Sequence, residues 1–577
     1  MARSLRSLAV SFFFAFGWFH AATLHAQKQP VYAQHGMVVS TNRIASQIGT
    51  EILEKGGNAI DAAVATGFAL AVVDIKAGNI GGGGFMVIRL HDGRVTTIDY
   101  REMAPRAAHE KMYLDESGHP VKNLNHEGYL SVGVPGTVAG LAMALEQFGA
   151  LSLAQVIQPA IELAEKGFPV SYQLSRHFAA SATRLEQYPS TTKAFYKEGG
   201  ELYQPGELLV QQDLAETLKR IAANGRDGFY TGATADFIAT QMQANGGLIT
   251  KEDLASYHAV LRDPIVSSYR DYTVYGMPPP SSGGVTLAIM LNILEGFDLE
   301  KMGHNSARYM HVVVEAMRRA YADRATYLGD PDFNPDMPVS WLLSKEHGEA
   351  LRRTINLEQA STSTPDSMSF DSSTRETTHF CVVDVEGNAV SNTYTLEYWF
   401  GSGIVVEGAG FLLNNEMGDF NAWPGHTDTL GRIGTKPNLI QPGKRMLSSM
   451  TPTLITKKDS LVMVIGSPGG RRIIGIVLQC ILNVVDHQMN IFEAIDAPRF
   501  FHTWLPDVVD IEKWGTTTDT LERLQEMGHR LVIGRFNTSL GVLRTKGRAM
   551  GITIDPATGY RIGAADPRSA DGAAVGY

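Results

Sequence analysis

RETTHFCVVDVEGNAVSNTYT, residues 375–395, is the stretch whose reading decides the fold. Two strand-like runs flank Asp384-Val385-Glu386-Gly387-Asn388, a composition that marks a turn. A hairpin folded near Glu386 brings Thr377 and Thr395, each nine residues from it, opposite one another to within a residue or two of register. A Thr-Thr pair in a strand is ordinarily packing, because β-branched residues favour strands. A third threonine brought to face the first asks for a second reason.

A threonine hydroxyl is a poor nucleophile without a base beside it, and the chain contains no Gly-x-Ser-x-Gly elbow. A cut between Glu376 and Thr377 would solve this without a histidine. The new α-amine, with an ordinary pKa of roughly 7.7–8.0, can serve as base for its own hydroxyl. Thr395 then supplies a hydroxyl to orient the nucleophile. The stretch from about 355 to 375, rich in Ser, Thr and Asp, reads as an exposed, flexible connector that lets the cut ends separate.

Outward from the hairpin, the pattern alternates strands with long helices. Asn42 caps an amphipathic helix carrying Ile44, Ile48 and Ile52 and stopped by Gly56-Gly57, and Asp61 to Asp74 reads as a helix apolar on every side. GNIGGGGFMVIRL, residues 78–90, places a glycine cluster before a strand. It lacks the Lys-Ser/Thr of a phosphate loop and runs loop-then-strand, so a tight backbone passage is expected. Helical segments follow at 151–166 and 208–245, and PPPSSGG at 278–284 turns rigidly into another helix. Beyond Thr377 come strands and two helices, at 471–487 and 519–529. The class is α/β or α+β, with layered sheets covered by helices.

With 577 residues, 44% hydrophobic and 19% charged, the chain buries a large core in two domains or two intertwined subunits. A net charge of −10, with no basic run past the first residues, speaks against nucleic-acid partners. Arg3 and Arg6, an apolar stretch from Leu8 to Phe19, and small residues to Ala26 form an export signal at 1–26, too short to span a membrane. Cys381 and Cys480 are the only cysteines and are expected to be buried thiols, ahead of one optional disulfide; neither lies in a histidine-bearing motif. No His-Glu-x-x-His or Cys-x-x-Cys ligand set occurs, and no metal is expected.

The motifs TTHFCVVD, TYTLEYWFGSGI, LLNNEMGDF, KRMLSSMTPT and GSPGGRRI, in this order, resemble the γ-glutamyltransferase (γ-glutamyltranspeptidase) family. The likeness extends through GNAIDAAVA, GNIGGGGF, YREMAP, SVGVPGTVAG and PPPSSGG upstream and DPRS downstream, nearly the whole mature chain. It implies an N-terminal-nucleophile hydrolase, a four-layer αββα sandwich that cuts itself before Thr377 into intertwined large (27–376) and small (377–577) subunits. It further implies an acyl-threonine enzyme without cofactor that transfers the γ-glutamyl group of glutathione or related compounds to water, amino acids or peptides. A periplasmic place, or secretion, with no stable membrane anchor, follows from the signal and the resemblance together.

Roles carried over by motif match the two ends of a γ-glutamyl group. Arg101, on composition alone a surface residue, matches the clamp for its α-carboxylate, with hydroxyls from Ser448 and Ser449. Glu416 and Asp419 match the holders of its α-ammonium, and Glu397 stands where relatives carry asparagine or glutamate. Gly469 and Gly470 match the backbone donors to the oxyanion. The segment 421–443 corresponds to a lid, with Leu430 where a gating tyrosine often stands. An acylase of deamino substrates is the alternative enzyme, disfavoured by the intact acidic pair, and an uncut exported binding protein is the alternative without catalysis.

Overall fold

A computed structural model describes residues 29–364, 376–534 and 547–577; the signal segment 1–26 and positions 365–375 of the connector lie outside them. Two seven-stranded sheets form the centre. The first runs in the order Ala573–Gly576, Met37–Ser40, Glu376–Val383, Ala389–Glu397, Gly83–Arg89, Val95–Tyr100, Val260–Arg262. The second runs Val31–Ala33, Arg561–Ala565, Met550–Ile554, Ser460–Gly466, Thr453–Lys457, Tyr272–Gly276, Ile265–Tyr269. Every pairing within the two is antiparallel.

The period of two along the central strands assigns their faces. Phe380, Val382, Met86 and Ile88 pack under the helices Ala59–Val73 and Thr137–Phe148. Cys381, Val383, Phe85 and Val87 point the other way, into the space between the sheets. The second sheet is covered in turn by Gly283–Leu294, Ala307–Tyr327 and Ile473–Val485. Helix, sheet, sheet, helix is the αββα sandwich expected.

The hairpin folds as its turn residues dictate: Asp384 accepts the N–H groups of Glu386 (3.0 Å) and Asn388 (2.9 Å). Thr377 pairs with Thr395, and Val383 with Ala389. The glycine cluster owes its composition to close approach, since none of its members has a positive φ. A Cβ on Gly81 would lie 2.2 Å from the Leu412 carbonyl, on Gly82 1.9 Å from that of Thr395, and on Gly84 2.4 Å from that of Thr393. No side chain fits where the Thr395 strand is laid against this loop.

Four details depart from the sequence reading. The 208–245 region is three helices, Gln212–Asn224, Asp227–Tyr230 and Gly232–Ala244, and a further short helix, Ile491–Asp496, carries a capping box between Asn490 and Glu493. The first part of the connector is pinned: the N–H groups of Ala360, Ser361 and Ser363 reach Met527 O (2.7 Å), Glu315 Oε1 (3.1 Å) and Asp507 Oδ2 (2.9 Å). Its order comes from polar partners elsewhere in the chain, which leave no hydrophobic period to read. Finally, Cys381 has a histidine after all, with His379 Nε2 3.2 Å from its sulfur.

That pair is inert. Burial pushes the Cys381 thiol well up and the His379 imidazole down to about 3, so neither takes its reactive form. Burial also holds Cys480 up, at about 11, and both thiols are free. Neither cysteine is expected to react with a disulfide reagent in the native protein at neutral pH, and both should titrate after denaturation. Gly82→Ala, with its Cβ against the Thr395 carbonyl, is expected to destabilise the fold by about 1–3 kcal/mol, read as a lowered thermal midpoint.

Candidate active site

Thr377 opens the strand Glu376–Val383 and faces Thr395 on the neighbouring strand; both are buried. The ladder loses register between Glu376 and Thr377, the bond expected to be cut: Glu376 pairs with Glu397, and the next pair is already Thr377 with Thr395. Glu397 absorbs the irregularity with a φ of 77°, a left-handed backbone costly for any residue but glycine. Its N–H thereby turns onto the Thr395 hydroxyl, 2.7 Å away. Asn79 holds the other end of Thr395, donating from Nδ2 to its carbonyl at 2.9 Å while Oδ1 receives the Gly82 N–H, also at 2.9 Å.

A narrow pocket joins these threonines to Arg101, Glu397, Glu416, Asp419, Ser448, Ser449, Gly470 and Arg471, with free space of only about 20 Å³. That is room for roughly one or two waters. Arg101 is fully buried, contrary to the surface position composition favours. Its fork is turned onto the pocket's own acids: Nη1 lies 2.8 Å from Glu416 Oε2 and 3.3 Å from Glu102 Oε2, and Nη2 lies 2.6 Å from Asp419 Oδ2. Nε donates to Met446 O at 3.2 Å. The guanidinium expected to grip a ligand's carboxylate is thus engaged with carboxylates of the protein itself.

Three acids around one guanidinium leave surplus negative charge. Burial alone would lower the Arg101 pKa, but Glu416, Glu102 and Asp419 hold it above its ordinary value. Burial drives Glu416 and Glu102 upward, against the pull of Arg101. Glu102 Oε1 and Glu416 Oε1 are buried without a hydrogen-bond partner among the described residues. Orphaned acceptors of this kind fit a ligand that brings N–H donors and positive charge.

The asparagines of LLNNEMGDF scaffold the acidic turn Glu416–Asp419. Asn414 Nδ2 reaches Gly81 O and Gly133 O, both at 2.8 Å, and its Oδ1 accepts the Glu416 N–H at 3.1 Å. Gly470 also lines the pocket, whereas Gly469 does not; the two take φ values of 57° and 140° and lead into the helix Ile473–Val485. Backbone N–H groups at such a helix start favour negative charge.

Four neighbours escaped the sequence reading. His126 Nδ1 lies 3.1 Å from Glu397 Oε2 with its ring stacked 4.9 Å from Tyr398, so the Glu397 side chain is engaged by an imidazole rather than with Glu416 and Asp419. Arg324 donates to Ser449 Oγ at 2.9 Å and to Ser282 Oγ at 2.7 Å. Glu102 and Arg471, the other two, adjoin Arg101 and Gly470 in sequence, the one signal available for either.

Two other clusters compete for attention. A cleft of about 820 Å³ lined by Arg270, Asp271, Asp486 and Lys457 contains none of the residues above and closes on its own ion pairs, such as Arg270–Asp486 at 3.0 Å. His311, Glu315 and His529 converge within 4.8 Å, a spacing that would suit a metal. Most of their atoms are already committed: the two imidazoles meet at 2.8 Å, His311 Nε2 donates to Asn356 O, and Glu315 is held by Arg318 and Arg319, which leaves only His529 Nδ1 without a partner among the described residues. Among the described residues no helix is long and apolar enough to cross a membrane.

The chain is 46% identical over 554 residues to the glutathione hydrolase proenzyme of Escherichia coli, covering 95% of this chain and 93% of that one. A cephalosporin acylase from Bacillus halodurans superposes with a TM-score of 0.84 at 30% identity, covering 98% of this chain and 99% of that one. The γ-glutamyltranspeptidase of Helicobacter pylori is 48% identical with a TM-score of 0.55, covering 55% of this chain and 91% of that one. The γ-glutamyltranspeptidase family model matches residues 45–576, and the chain belongs to that family.

Proposed function

We propose that this protein is an exported, self-cleaving γ-glutamyltransferase and glutathione hydrolase whose nucleophile is Thr377. The observation that carries the reading is the placement of Thr377 against Thr395 in the same small pocket as Arg101, Glu416 and Asp419. The proenzyme relative in Escherichia coli supports it. Cleavage at Glu376–Thr377 divides the chain into subunits 27–376 and 377–577 that remain interlocked, in the periplasm or outside the cell.

A γ-glutamyl donor ends in a zwitterion that can exchange partners with the pocket. Its α-carboxylate takes over guanidinium donors of Arg101 now held by Glu416 and Asp419, with Ser448 and Ser449 beside it. Its α-ammonium then bridges the carboxylates so released. Swapping one set of ion pairs for another avoids leaving any buried charge bare, which would cost several kcal/mol.

Chemistry follows at the far end of the donor. Thr377 Oγ bonds to the γ-carbonyl carbon, and the carbonyl π pair moves onto oxygen, facing the N–H groups of Gly469 and Gly470. The free α-amine of Thr377 takes the hydroxyl proton and passes it to the departing amine as the C–N bond breaks. The ester on Thr377 is then opened by water or by the amine of an acceptor, with the same proton relay reversed.

An acylase of deamino acyl groups is the second reading, favoured by the likeness to the Bacillus halodurans acylase. Such a ligand has no ammonium to replace Arg101 as partner for Glu416.

Intact mass and N-terminal sequencing should find two fragments, the smaller beginning at Thr377, and Thr377→Ala should remain one chain without γ-glutamyl release. A wild-type protein that stays uncut refutes the mechanism. Glu416→Gln, assayed with paired γ-glutamyl and glutaryl anilides, is expected to cost the γ-glutamyl substrate roughly ten- to a hundredfold in kcat/KM, the worth of one buried charge-assisted contact. The glutaryl substrate should be spared; an equal loss on both would favour the acylase reading.

A further inference from the structure

The loop 421–443 is tied by hydrogen bonds to two residues that line the pocket, Asp419 near its base and Arg471 at its tip. At the base, Asn438 Nδ2 donates to Asp419 O at 2.8 Å, and the Asn421 N–H reaches Asn438 O at 2.9 Å. At the tip, buried Asp428 gathers the N–H groups of Leu430 and Arg432, each at 3.0 Å, into a tight turn. That turn presents the carbonyl of Gly431, whose φ of 100° suits no other residue well.

Arg471 Nη1 donates to this carbonyl at 2.7 Å. The same residue lines the Thr377 pocket and follows Gly470 directly. Its own carbonyl is fixed by the Tyr321 hydroxyl. By backbone Arg471 belongs to the oxyanion turn, and by side chain to the tip of the loop. Leu430, also at the tip, offers no polar side chain for such a bond.

We propose that Arg471 is the latch that holds the 421–443 loop across the Thr377 pocket and so decides how the acyl-threonine is shared between water and an amine acceptor. The proposal rests on the acyl-threonine reading above. A charged donor on a backbone carbonyl makes a stronger bond than a neutral pair, and it is indifferent to the loop's side chains. Water reaches the ester whether the loop is held or loose. An amine must be kept near the ester in an attacking pose, and an unlatched loop removes the wall that keeps it there. Arg471 is thus a positioning residue for the second half of the reaction.

The test uses mature enzyme, a γ-glutamyl anilide as donor and glycylglycine as acceptor, and reads dipeptide transfer against hydrolysis together with acceptor KM. In Arg471→Met the transfer-to-hydrolysis ratio should fall roughly three- to tenfold with a raised acceptor KM, and Arg471→Lys, which keeps the charge and one donor, should recover part of the loss. Gly431→Ala displaces the accepting carbonyl, because its Cβ meets Leu505 O at 2.8 Å and Arg471 Nη1 at 3.3 Å. The double variant should be no worse than the more severe single one. An unchanged ratio in both Arg471 variants, or losses that simply add in the double variant, would overturn the latch. A wild-type enzyme that forms no γ-glutamyl ester on Thr377 would instead overturn the function beneath it.

Discussion

The pairing of Glu376–Val383 with Ala389–Glu397 is the constraint on which the rest of the molecule depends. Side chains alternate faces along a strand, so a slip of one residue would turn Thr377 away from the pocket and Cys381 into the helical layer. The strand cannot slip, because Met37–Ser40 pairs with its other edge and apolar cores lie on both faces. The neighbouring strand is held in turn by Gly83–Arg89, where glycine permits the approach. The ladder is broken only at the Glu376–Thr377 step, where rigid pairing would oppose a cut.

Electrostatics shapes the pocket as strongly as the ladder does. Glu102, Glu416 and Asp419 share one guanidinium, while His126 faces Glu397. Burying that many acids is expensive, and well-packed apolar residues would serve stability better. Such an arrangement makes sense where a cationic group arrives to complete it. On the function proposed above, the closed pocket and the self-paired Arg101 share one explanation: until a zwitterion enters, the protein's own acids would stand in for its carboxylate.

Much of this was legible from residues. The hairpin register followed from the position of Glu386 between two threonines, and the helices at Asn42 and Asp61 from their caps and apolar spacing. The acidic pair, the serines and the glycine turn were found through motif resemblance, and Glu416, Asp419, Ser448, Ser449 and Gly470 line one pocket, without Gly469. His126 and Arg324 were invisible because they lie far from their partners in sequence, 271 residues from Glu397 and 125 from Ser449, and no local pattern links them. The 356–363 segment is for the most part exposed or half-buried, as its composition implies, but its backbone is pinned by partners distant in sequence, Glu315 and Asp507, that no local pattern shows. Arg101 was singled out by its motif, yet the carboxylates it pairs with, Glu416, Glu102 and Asp419, follow from a three-dimensional charge balance that no local pattern encodes.

The same ladder explains why a cut at Thr377 need not dissolve the fold. In the first sheet, Met37–Ser40, which precedes the cut, lies between Ala573–Gly576 and Glu376–Val383, and the Thr395 strand pairs outward with Gly83–Arg89. In the second sheet the four strands that follow the cut are flanked on one side by Val31–Ala33 and on the other by Tyr272–Gly276 and Ile265–Tyr269. Neither piece owns a complete sheet, so separating them would bare strand edges and two apolar faces at once. The 356–363 segment adds a polar tie, through Met527 O and Asp507, between the end of the first piece and the body of the second. A cut before Thr377 would therefore change the chemistry at one residue, turning a strand amide into an amine, while the packing that positions that residue is shared by both pieces.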